Sequence, residues 1–196
     1  AAAIADDIAY DAHDIDDGLR AGLISLDMLE DVSLPAGILA SVRQRYPGLD
    51  AVRTGHELMR RQITAMVEDA IATAQANLDR LAPQSVADIH GAGRPMVAFS
   101  PAMTAAEKEL KAFLYGRLYR HPAVMAVREG ADQIVRDLYT RYFERPADLP
   151  DGHGEEASVC SEAERARYVA DFIAGMTDTY AIKEHRRLFD RTPDLV

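Results

Sequence analysis

The sequence predicts an all-α protein of seven or eight helices. Apolar residues recur at helical spacing through most of the chain, and strand-like alternation is nearly absent. Cap residues open the periodic stretches, and Pro or Gly closes them. A length of 196 residues supports one domain, or two small ones, with a real hydrophobic core.

The first helix spans residues 1–19, where Ile4, Ile8, Ile15 and Leu19 form one stripe, and Gly18 and Gly22 mark its end. Ser25 caps a short turn ending at Leu29. Pro35 sits in the first turn of a helix over about 34–45, which stops before Pro47-Gly48. Residues 54–82 read as a long helix with a stripe from Leu58 through Ile63, Met66, Val67, Ala70, Ile71 and Ala74 to Leu78. Pro83 ends it. Three Pro and two Gly make 83–103 a loop, in which Met96-Val97-Ala98-Phe99 fits a brief strand. Thr104 with Glu107 forms a capping box for a helix to about Tyr119. Pro122 starts a helix over roughly 121–144, and 145–159 reads as an exposed Pro-, Gly- and acid-rich loop. Ser161 with Glu164 opens a last helix to about Leu188, bent near Gly175.

Acidic residues outnumber basic ones by 32 to 22, for a net charge of −10, which disfavours a duplex-coating protein but leaves room for a local basic groove. No apolar run reaches the ~20 residues of a membrane span. Cys160 is the one cysteine, so no internal disulfide forms and a reducing, cytoplasmic setting is expected. The chain opens Ala1-Ala2-Ala3-Ile4, without Met or a signal pattern, and reads as cut from the middle of something.

The first helix is chemically unusual. It carries six Asp within twelve residues, at positions 6, 7, 11, 14, 16 and 17. Helix propensity does not explain them. Asp6, Tyr10, Asp14 and Asp17 fall within an arc of ~80°, and Ile4 sits about opposite Asp6. A solvated acidic face is the plain explanation, with the early Asp residues favoured by the helix dipole. Asp14, Asp16 and Asp17 crowd the unfavourable end, so a cation, a basic neighbour or a metal should offset them.

The run Ala5-Asp6-Asp7-Ile8-Ala9-Tyr10, followed by His13-Asp14-Ile15-Asp16-Asp17-Gly18-Leu19, resembles the downstream half of the deoxyguanosinetriphosphate triphosphohydrolase-like family, the HD-superfamily dNTP triphosphohydrolases. Phe113-Leu114-Tyr115 with Leu118-Tyr119-Arg120-His121-Pro122, and the run from Asp171 to Ala181, resemble the same family in the same order.

The resemblance implies an irregular all-α bundle. Residues 1–82 would complete the HD core, and 83–196 would form a family-specific helical region. It implies a divalent metal (Mg, Mn or similar) on an H…HD…D ligand set, with Asp6 as the last ligand. Tyr10 would pack on the deoxyribose and Asp14 would accept from the 3′-hydroxyl. Asp7 is the rival ligand, but its partners at the same spacing, Asp11 and Ile15, lack the Tyr. His13-Asp14 spells HD, yet the superfamily dyad belongs upstream of this helix. The implied reaction releases triphosphate from a dNTP. Without the upstream His and His-Asp pair, this C-terminal portion would be inactive alone and would not fully bind the metal. A homo-oligomer and the missing N-terminal part are the implied partners.

Arg53, Arg60 and Arg61 are candidate phosphate contacts, because guanidinium forks bind phosphate oxygens. A salt-bridged helix start serves equally well. Tyr115, Tyr119 and Tyr139 fall at core-like spacings and read as packing. Lys183, His185, Arg186 and Arg187 form a basic helix end. Gly91-Ala92-Gly93-Arg94 lacks the context of a phosphate loop. A second class of function is a helical oligomerisation or regulatory nucleotide-binding module, and a third is another HD-type phosphohydrolase. An enzyme half should show Asp6, Tyr10 and Asp14 lining a concavity open on the side where the missing ligands belong. A scaffold should show them splayed into solvent with a broad apolar patch elsewhere.

Overall fold

A computed structural model describes residues 1–150 and 152–195. These hold ten α-helices and no strand. They are α1 (Ala2–Arg20), α2 (Leu26–Leu29), α3 (Ser33–Arg45), α4 (Ala51–Leu81), α5 (Val86–Gly91), α6 (Pro101–Leu114), α7 (Pro122–Glu144), α8 (His153–Val159), α9 (Glu162–Ala174) and α10 (Asp178–Leu188). A π-helical turn, Tyr115–Tyr119, continues α6, and a 3-10 turn, Pro146–Asp148, precedes α8. The all-α expectation therefore holds. No described helix is long and apolar enough to cross a membrane.

The chain divides into two compact units, Ala1–His121 and Pro122–Val196. In the first, Ile15, Leu39, Leu58, Leu110 and Leu114 form the centre of a buried cluster drawn from α1, α3, α4 and α6. The second is centred on Ile134, Leu138, Tyr142 and Val169. There the Tyr142 hydroxyl donates to Glu184 at 2.8 Å, so a buried carboxylate is satisfied from inside the core.

Several boundaries differ from the sequence expectation. Asp50 caps α4, accepting from the Arg53 N–H at 2.9 Å, so the helix starts three residues before 54. The supposed loop 83–103 contains α5, opened by a Ser85–Asp88 capping box. Residues 96–99 form no strand. Thr104 is not a cap: α6 starts at Pro101, where a missing N–H is harmless, and Ser100 caps it. The segment 145–159 is not simply an exposed loop, since α8 buries Gly154 and Ala157. Residues 162–188 form two helices, and Thr177 caps the second.

Gly154 marks a close approach. A Cβ there would lie 2.6 Å from the Pro146 carbonyl oxygen and 3.2 Å from the Ala147 Cα. Both obstacles are backbone and cannot rotate away. Gly154→Ala is expected to destabilise the C-terminal unit by about 1–3 kcal/mol, measured by urea unfolding.

Candidate functional site

The α1 stripe packs as its spacing requires: Ile8, Ala12 and Ile15 are buried, while Ile4 and Leu19 are half-buried. The opposite side is exposed. Asp6 lies in solvent, and among the described residues no hydrogen bond or ion pair holds it. Tyr10, one turn on, is 60% exposed. Asp14, a further turn on, is half-buried and accepts from the Tyr119 hydroxyl through Oδ2. The three residues thus follow one line along α1. Asp6 and Tyr10 are splayed into solvent, the arrangement expected of a scaffold rather than of an enzyme half, and only Asp14 is half-buried.

Partners for the crowded carboxylates come from the protein. Lys111 on α6 donates to Asp7 Oδ1 at 2.7 Å and also pairs with Glu107. Burial pulls the ammonium's affinity for its proton down, but these two hydrogen bonds outweigh it and hold the group above the ordinary lysine value. Arg20 pairs with Asp16 at 2.7 Å. Burial, then the Asp14 hydrogen bond, pushes the Tyr119 phenol up to about 12. The basic-neighbour explanation therefore accounts for Asp7 and Asp16, and a phenol accounts for Asp14.

Tyr115 and Tyr119 are not core residues; they are 53% and 43% exposed. The π turn explains the departure. It inserts extra backbone into the helix, so side chains after Leu114 leave the 3.6-residue phase on which the packing expectation rested. Tyr139 does pack against the second core.

Sequence reasoning missed Asp11. It is 2% exposed, and its Oδ2 has no hydrogen-bond partner. Burial pushes its carboxyl up to about 7, with Lys111 opposing and Glu107, Asp7 and Asp14 adding to the rise. The signal lay in the spacing, because position 11 falls between Ile8 and Ile15 on the buried stripe. Lys111 and Glu107 gave no such signal, being roughly a hundred residues away.

The structure places the candidate arginines elsewhere. Arg60 and Arg61 both bind Glu57, at 2.8 and 3.1 Å, and line a groove with Ile38, Ser41 and Tyr46. Arg53 pairs with Asp50 at 3.4 Å. No hydrogen bond or ion pair joins these arginines to α1 among the described residues. His13 leaves the acidic line and borders an apolar groove of about 540 Å³ between α1 and α4, with Ile4, Ile8, Ile63 and Val67. Ile71 in that groove is 65% exposed.

Of the basic helix end, His185 and Arg187 have structural partners, while Lys183 and Arg186 are exposed. His185 is buried between Asp137 and Thr192, at 3.1 and 3.0 Å, and Arg187 binds Glu184 and the Asp148 carbonyl. The Cys160 thiol donates to the Glu156 carbonyl at 3.2 Å.

Among the described residues, no three His, Cys, Asp or Glu side chains gather to hold a metal. Asp6 presents an exposed carboxylate that no hydrogen bond or ion pair engages among the described residues, whereas Asp7 is taken by Lys111.

Comparison with known proteins adds independent findings. A family model for a phosphohydrolase-associated domain matches residues 97–187. A deoxyguanosinetriphosphate triphosphohydrolase-like protein 1 of Mesorhizobium japonicum is 68% identical over 99% of this chain and 48% of its own length. Deoxyguanosinetriphosphate triphosphohydrolase-like proteins of Brucella anthropi and Agrobacterium fabrum are 58% and 53% identical, each over 99% of this chain and 48% of their own length. The chain thus spans about half the length of the curated relatives it matches.

Proposed function

Because the chain belongs to the deoxyguanosinetriphosphate triphosphohydrolase-like family, we propose that α1 forms the nucleotide-facing wall of a dNTP triphosphohydrolase completed by residues outside these 196. The supporting observation is the line Asp6–Tyr10–Asp14. It is exposed at Asp6 and braced at Asp14 by the Tyr119 hydroxyl.

In this reading Asp6 supplies one metal ligand. A divalent metal, when bound, contributes an activated water and neutralises charge at the α-phosphate. The Tyr10 ring packs on the deoxyribose where a 2′-hydroxyl would intrude. Asp14 has Oδ2 occupied by Tyr119, so Oδ1 remains to accept from the 3′-hydroxyl. Lys111, held beside Asp7, is a cation for the triphosphate. Arg53, Arg60 and Arg61 act as phosphate contacts only where a phosphate displaces Asp50 or Glu57. With one metal ligand, the chain is inactive alone.

The test uses two proteins, with a dNTP and Mg²⁺ or Mn²⁺. One is the 196-residue chain. The other is the Mesorhizobium japonicum relative with this chain exchanged for its matching half. The chimera should release triphosphate in a metal-dependent way, and the chain alone should not. Release by the chain alone, or none by the chimera, overturns the proposal.

The exposed apolar groove between α1 and α4 favours a second reading, in which the chain serves as a helical association module. On that reading Ile71→Asp would change the assembly state seen by analytical ultracentrifugation, and Asp6 and Tyr10 would have no catalytic consequence.

A further inference from the structure

Two buried side chains have unsatisfied polar atoms among the described residues, Gln62 and Asp11. Gln62 is neutral. Asp11 is ionisable, and one of its oxygens faces the interior without a donor. Its charged surroundings come from three elements. Asp7 and Asp14 stand one turn away on α1, Glu107 and Lys111 face it from α6, and Tyr119 comes from the π turn. The buried face of α4, which also packs on α1, is Thr54, Gly55, Leu58, Gln62, Met66 and Ala70 and carries no ionisable group. One ammonium therefore serves three carboxyl groups, and two of them already hold it.

We propose that Asp11 is a positioning residue for Lys111. While Asp11 keeps its proton, Lys111 stays bridged between Asp7 and Glu107. When Asp11 loses that proton to solvent, the ammonium is drawn off Asp7 toward the buried carboxylate. The direction follows from dielectric environment. A carboxylate without donors in the interior attracts a cation far more strongly than one in water. Lysine can answer that pull, because its four-carbon stem moves the charge without moving the backbone. Burial places the proton loss near neutral pH. The consequence is that α1's outer face holds its cation at lower pH and surrenders it at higher pH.

The functional meaning rests on the reading of Lys111 as a triphosphate contact. The test does not use a nucleotide, so the two can fail separately. The uniformly ¹³C,¹⁵N-labelled chain is titrated from pH 5 to 9 while the Asp11 and Asp7 carboxyl carbons and the Lys111 Cε–Nζ group are followed. In the wild type all three signals should move with one midpoint near 7. In Asp11→Asn the Lys111 and Asp7 transitions should vanish. A stationary Lys111 signal in the wild type overturns the proposal whether or not the variant folds. So does a Lys111 transition that persists unchanged in Asp11→Asn.

Discussion

Asp11→Asn should flatten the pH dependence of this chain's stability. The folded carboxyl keeps its proton up to about 7, while the unfolded chain releases it near the ordinary 3.8. Between those values the folded state binds the extra proton. The stabilisation is therefore complete below pH 4 and drains away as pH rises to 7. The wild type should lose on the order of 4 kcal/mol of stability between pH 4 and pH 8 from this group. An amide cannot ionise, so the variant should lack that component. Urea unfolding at both pH values measures it, and equal losses in the two proteins would show that Asp11 is not the titrating group. A residue that weakens the fold at neutral pH is better understood as serving the face above it than the core beneath it.

Tyr10→Ala has the second large effect. In the Mesorhizobium japonicum chimera, the preference for dNTP over NTP in kcat/KM should fall by ~10–100-fold, the range that loss of one tight steric contact supplies. The ring is exposed, so truncation removes no core packing and the protein should keep its stability. Unchanged discrimination would point instead to another HD-type phosphohydrolase, in which the Tyr does not meet the sugar.

The helices that pack by large side chains were legible in the sequence. Ile8 and Ile15 place α1, Leu58 and Met66 place α4, and the Ser161–Glu164 capping box opens α9. Elements that do not pack that way were hidden. α5 buries no side chain and stands on its caps. α8 buries Gly154 and Ala157, too small to read as an apolar stripe. The π turn leaves no periodic trace, so Tyr115 and Tyr119 were placed on the wrong side of their helix.

The candidate site divides along the same line. That Asp6, Tyr10 and Asp14 share a face with Asp17 follows from helical geometry, while their selection as a site rests on the family resemblance. Tyr119, which bonds Asp14, and Lys111, which bonds the neighbouring Asp7, come from about a hundred residues away, a distance over which local spacing carries no information. Asp11 is the intermediate case, visible in the phase of α1 but hidden by its membership of an acidic run.

The claim that α1 presents Asp6 as a metal ligand is tested most directly by paired substitutions in the chimera. Asp6→Asn should reduce metal-dependent triphosphate release by ~10³-fold or more, as removal of a ligand from a catalytic metal does. Asp7→Asn breaks one of the two ion pairs of Lys111, leaving it on Glu107, and removes no ligand; it should stay within about tenfold of the parent, the scale of one partly exposed ion pair. The reverse pattern, with Asp7→Asn inactive and Asp6→Asn active, would contradict the account.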